Sequence, residues 1–145
     1  MKRPVVVFDG SCGFCRQWIE RWRELTGDAV EYRPSSEAAA DFPEIPPEEF
    51  DRAVQLIRPD GSRISAAEAV LELTAPHSLA AKCGMFAYRH SQMLAALFEK
   101  SYAAVATHRG FFSKLTRWLW GASVQRPSFA IANTLFLRAL ALIFL

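Results

Sequence analysis

Two cysteines three residues apart, Cys12 and Cys15, stand where an apolar run at residues 4–8 gives way to a helical pattern. Ser11 reads as a helix N-cap, which puts Cys12 in the first turn and Cys15 almost one turn behind it on the same face. Sulfurs so placed can close a disulfide. Unpaired backbone N–H groups and the positive end of the helix dipole favour a thiolate at Cys12, the form that attacks disulfides. The pattern predicts Cys12 as nucleophile and Cys15 as resolving thiol, in a cycle that passes through a mixed disulfide and needs no metal and no organic cofactor. Its substrate is a disulfide-containing protein or a small-molecule thiol. Asp9 ends the strand three residues before Cys12 and has two readings. A partly buried carboxylate, its pKa raised, could take or relay the Cys15 proton; alternatively, it caps the backbone N–H groups of the Gly10–Ser11 turn.

A strand, the motif Asp-Gly-x-Cys-x-x-Cys and a helix carrying aromatic residues together resemble the DCC family of thiol-disulfide oxidoreductases, named for the residues that stand here as Asp9, Cys12 and Cys15. The resemblance continues through residues 53–64, similar to the family's central hairpin, residues 65–70, similar to the helix after it, and residues 102–109, similar to its late Tyr and Arg segment. It covers residue 4 to about residue 120 and implies a thioredoxin-like fold. In one respect the sequence departs from ordinary thioredoxins. Those place a cis-proline just before the strand that faces the dithiol, whereas Asp51 and Arg52 precede Ala53 here and the nearest prolines are Pro46 and Pro47.

The elements that must hold this motif fit one domain. At 145 residues, with 51% hydrophobic and 22% charged side chains, the chain suits a single well-cored globular unit and is too short for two ordinary ones. The motif's helix continues through Trp18, Ile19, Trp22 and Leu25, read as core, with Arg16, Glu20, Arg21 and Arg23 opposite, and ends at Thr26-Gly27-Asp28. Residues 29–33 read as a second strand stopped by Pro34. Residues 35–47 read as a loop that shapes access to the dithiol, with a short helix around 36–41. Strands at 53–58 and 63–65 flank the turn at 59–62, and a helix at 66–74 is stopped by Pro76. This order predicts an α/β, thioredoxin-like fold: a small mixed sheet flanked by helices, with extra C-terminal helices. In the helical stretch 77–102, Met85, Phe86, Met93, Leu94, Leu97 and Phe98 form a broad apolar face expected to pack as core.

Three cysteines do not make a disulfide framework, and Met1-Lys2-Arg3 followed by five apolar residues is too short for a signal peptide. A dithiol resting reduced in a cytoplasmic compartment is the expectation. Charge is unevenly spread: residues 1–99 carry 11 Lys or Arg and 15 Asp or Glu, residues 100–145 carry six and none. Such a tail is drawn to an anionic membrane surface or a nucleic acid, and its apolar content favours the membrane. Phe111, Phe112, Leu115, Trp118, Leu119 and Trp120 mix with Lys114 and Arg117, a composition that suits either a membrane interface or packing onto the domain. We expect residues 1–124 to form the domain and 125–145 a separate hydrophobic segment. Residues 129–145 are apolar but for Asn133, Thr134 and Arg138, somewhat short of the roughly 20 residues that span a bilayer. They read as a membrane helix, cut short where the sequence stops, and resemble the opening of the first membrane helix of lipase-maturation-factor-like proteins. Lys114, Arg117 and Arg126 ahead of it place the domain at the cytoplasmic face. The competing reading is a soluble chain whose last helix packs on the domain.

Other functions compete with the redox reading. Cys12 and Cys15 are also half of a zinc site, for which His77 and Cys83 could nominally complete the set, but the second closely spaced pair of a structural zinc site is missing. A thioredoxin-like adaptor module without catalysis is the other alternative. Cys83 reads as a buried small hydrophobe and His77, His90 and His108 as isolated side chains; Arg109, after Tyr102, could bind an anion or a partner, and reads first as a solvated charge.

Overall fold

A computed structural model describes the backbone of residues 3–120 and the side chains of residues 3–115. The segment 125–145, with the membrane-helix reading of 129–145, lies outside the described residues. Among those described, no helix is long and apolar enough to cross a membrane. The chain divides into two compact units, Met1–Gly110 and Phe111–Leu145.

The first unit is built on Val5–Phe8, four consecutive apolar residues that form strand β1 with every side chain buried. A strand with both faces covered needs partners at both edges and layers on both sides. Helix α1, Gly13–Thr26, carries the chain across to β2, Glu31–Pro34, which pairs parallel to β1 with Val6 opposite Tyr32. Strand β3, Gln55–Ile57, pairs antiparallel on the other edge of β1, and β4, Arg63–Ser65, pairs antiparallel to β3. The order β2-β1-β3-β4, with its mixed directions and flanking helices, is the thioredoxin-like α/β arrangement.

Because successive strand residues point to opposite faces, β1 divides the core in two. Val5 and Val7 pack with Ala38, Phe42, Ile45, Phe50 and Ile57 on one face. Val6 and Phe8 pack with Ile19, Tyr32, Leu56, Ala69 and Leu73 on the other. The second face is covered by α1 and by α4, Ala66–Thr74. The first is covered by the segment between β2 and β3, which holds more helix than its loop-like composition suggests. It forms α2, Ser35–Ala38, a 3-10 turn at Ala39–Asp41, and α3, Pro47–Arg52. Pro47 occupies the first turn of α3, where no backbone N–H is missed, and Glu48 and Glu49 follow at the positive end of the helix. The prolines that suggested a loop therefore start a helix, which buries Phe50.

Strand β2 begins two residues later than the sequence reading placed it. Gly27 ends α1 with φ 54°, and Gly27–Ala29 form a 3-10 turn before the chain straightens. Trp22 is half-buried against the core and Trp18 half-buried beside it. The helical stretch after α4 is two helices, α5, Leu79–His90, and α6, Gln92–Thr107, each capped by a serine hydroxyl: Ser78 accepts the Ala81 N–H and Ser91 the Leu94 N–H. The break at Ser91 interrupts the apolar repeat. Only Met85 of that face is buried, Leu94 and Phe98 are half-buried, and Phe86, Met93 and Leu97 are 64%, 78% and 39% exposed, contrary to the expected core packing. Helix α7, Arg109–Trp120, opens at the boundary of the second unit, where Phe111 is exposed and meets Phe112 edge-on.

Candidate functional site: a dithiol turn clamped by distant residues

The turn between β1 and α1 is organised by Asp9. One carboxylate oxygen, Oδ1, accepts the Ser11 N–H at 2.9 Å, the Ser11 hydroxyl at 2.6 Å and the Cys12 N–H at 3.2 Å. This is the capping role, filled by local geometry. It also displaces the helix start. With its hydroxyl committed to Asp9, Ser11 does not cap α1; Cys12 takes that position, in extended geometry, and its Sγ accepts the Cys15 N–H at 3.2 Å. Cys12 thus stands one residue ahead of the first turn in which the sequence reading put it.

Both cysteines are free thiols, each half-buried. Their sulfurs and a carboxylate oxygen of Asp9 all lie within 4.8 Å of one another. Burial pushes the Cys15 thiol up, and its hydrogen bond to Cys12 adds to the effect, raising it from an ordinary 9.0 to about 12. The Arg109 charge opposes that rise; the charges of Cys12 and Asp9 reinforce it. For Asp9, burial alone would raise the carboxyl. The hydrogen bonds from Ser11 and Cys12 and the charge of Arg109 outweigh it and hold the group below 3.8, so the raised Asp9 pKa expected from partial burial is not found.

Arg109 has partners that the sequence does not name. Rather than a solvated charge, its side chain is 23% exposed and its guanidinium makes three contacts. Nη1 reaches Asp9 Oδ2 at 3.3 Å, and Nη2 donates to the backbone carbonyls of Asp51 at 2.7 Å and Arg52 at 3.0 Å. The segment ahead of β3, where no proline stands, is thereby tied to the dithiol turn. Tyr102 secures the same segment, its hydroxyl accepting the Val54 N–H at 3.0 Å. Burial raises the Tyr102 hydroxyl, and the nearby charge of Cys15 adds to that. A signal for this pair existed: Tyr102 and Arg109 are seven residues apart, two helical turns, so they share one helix face.

A cleft of about 500 Å³ opens beside the dithiol turn, lined by Asp9, Ser11, Ser35, Ser36, Pro47 and Asp51 among others. The segment between β2 and β3 thus borders the turn that carries Cys12. Cys83 is exposed, not buried, and neither it nor His77 joins the Asp9, Cys12 and Cys15 group. Three donors fall short of the four that close a structural zinc site. His90 and His108 each direct Nδ1 to a carbonyl oxygen one turn back in their own helix.

A family model described as DCC1-like thiol-disulfide oxidoreductase matches residues 6–115. No curated protein and no solved structure matches the chain.

Proposed function

The chain belongs to the DCC1-like thiol-disulfide oxidoreductase family, and on that premise we propose that it exchanges electrons with a disulfide-containing protein or a small-molecule thiol through Cys12 and Cys15. The observation that carries this reading is the approach of the two sulfurs at the head of α1, with the Cys15 N–H on Cys12 Sγ. Cys12 Sγ attacks the substrate disulfide, one S–S bond forms as another breaks, and the first substrate sulfur leaves as a thiolate that takes up a proton. Cys15, deprotonated to solvent, then attacks Cys12 Sγ. The second substrate sulfur leaves with the electron pair of the mixed disulfide, so two electrons pass from the dithiol to the substrate.

Asp9 holds the turn in shape throughout and, as a carboxylate held low, is a poor proton acceptor. The order of attack follows from Cys15. Its thiol is suppressed partly by Cys12, and once Cys12 is bound in a mixed disulfide that hydrogen bond and charge are gone. A Cys15→Ser variant mixed with oxidised glutathione tests the roles: a stable adduct on Cys12 supports them, and no adduct refutes them. We also propose that residues 129–145 tether the domain to the cytoplasmic membrane face, on the strength of their apolar composition and the six cations without an anion in residues 100–145. Partitioning onto anionic vesicles with and without residues 125–145 tests this; a chain that stays in solution in both forms refutes it.

A further inference from the structure

We propose that Arg109 is a positioning residue of the dithiol, clamping Asp9 against the chain ahead of β3 so that Cys15 can close onto Cys12. This inference rests on the oxidoreductase reading. Three facts carry it. Arg109 lies 100 residues from Asp9 in sequence yet pairs with the one carboxylate oxygen that the Ser11 and Cys12 donors leave open. Its other nitrogen grips the Asp51 and Arg52 carbonyls, so one planar fork spans two segments of the fold. The pair is half-buried, with side-chain exposures of 23% and 14%, so its charges are screened less than those of a fully exposed pair.

The groups whose charge Cys15 feels are Cys12, Asp9, Arg109 and the Tyr102 hydroxyl. Arg109 is the only cation among them. During closure Cys12 is neutral, because its sulfur is bonded to the departing thiol, and Tyr102, its hydroxyl raised by burial, is neutral as well. Asp9 and Arg109 are then the charges left, acting on the Cys15 thiolate with opposite signs. Removing the cation leaves an uncompensated carboxylate beside the sulfur that must ionise; removing the carboxylate leaves the cation.

The test is the closure step itself. In a Cys83→Ser background, which takes away the exposed third thiol, Cys12 attacks a symmetrical aromatic disulfide, expelling one coloured thiol and keeping the other as a mixed disulfide, and release of that second thiol by Cys15 is followed against pH. Arg109→Met moves the midpoint of release upward by about half a unit or more, roughly a threefold smaller thiolate fraction at a given pH. Asp9→Asn moves it downward, and Arg109→Lys returns it part of the way toward the parent by restoring the charge without the fork. A side chain that only braces the fold would lower melting temperatures and leave the midpoint where it is, and that result overturns the inference. Should Arg109→Met not fold, Arg109→Lys decides in its place: a midpoint above the parent's supports the clamp, and a midpoint equal to the parent's overturns it. If the parent itself releases no aromatic thiol, the oxidoreductase reading fails and the inference with it; if the parent releases it and no variant shifts, the inference alone fails.

Discussion

In the reduced protein Cys15 should alkylate far more slowly than an ordinary thiol, and deleting Cys12 should speed it up. With the thiol raised from 9.0 to about 12, its thiolate fraction near neutral pH drops roughly a thousandfold. A more basic thiolate is also more nucleophilic, with a Brønsted coefficient of about 0.4–0.5, which returns part of the loss. The net slowing is roughly 30- to 60-fold at fixed pH, before any steric hindrance. Burial is the largest cause and survives a Cys12→Ala change; the Cys12 hydrogen bond and charge do not. Reduced Cys83→Ser protein is exposed to limiting iodoacetamide and the site of modification read by mass spectrometry over time, then the same is done with Cys12→Ala/Cys83→Ser. Cys12 is modified first in the former, and Cys15 reacts faster in the latter than in the former. A Cys15 that reacts as fast as a free thiol in reduced protein, or that gains nothing when Cys12 is removed, refutes the reasoning that Cys12 restrains it.

Three further outcomes follow from the packing around the turn. A Cβ at Gly10 would lie 2.7 Å from Pro34 Cβ, so Gly10→Ala forces β2 away from the dithiol turn and costs about 1–3 kcal/mol in denaturant unfolding, with slower disulfide closure. Phe50, 2% exposed and central to one core face, costs about 3–5 kcal/mol when cut to alanine, measured in the same way. The Asp9 carboxyl is lower in the folded state than the 3.8 of the unfolded chain, so its contribution is fully present above that value and is lost as pH falls through the folded one. Melting temperatures followed from about pH 7 into the acid range should therefore fall further for the parent than for Asp9→Asn.

Those parts of the fold written in short stretches of sequence were legible, and those made by distant contacts were not. Strand β1 announces itself as a fully apolar run, and the Cys12 and Cys15 pair sits where such a strand meets a helix. The β3–β4 hairpin is equally local: Asp60 accepts the Ser62 N–H at 2.9 Å and Gly61 takes φ 86°, a conformation that favours glycine. What escaped was competition between neighbours, and reach. Ser11 looks like a helix cap until Asp9 claims its hydroxyl. Pro46 and Pro47 look like loop residues until Pro47 proves to start α3. Arg109 looks solvated because nothing within a few residues needs a cation, while Asp9 and the Asp51 and Arg52 carbonyls do. Cys83, read as buried from its residue type, is exposed because its helix turns that position outward.

If Cys12 and Cys15 form a working redox pair, they must interconvert between dithiol and disulfide at a defined potential. Equilibrating Cys83→Ser protein across a series of dithiothreitol potentials, with thiols trapped and mapped by mass spectrometry, measures this most directly. A working pair gives a reversible two-electron transition in which Cys12 and Cys15 lose their thiols together and are joined in one disulfide. Two cysteines that remain separately alkylatable at every potential, or that pair only between chains, would contradict it.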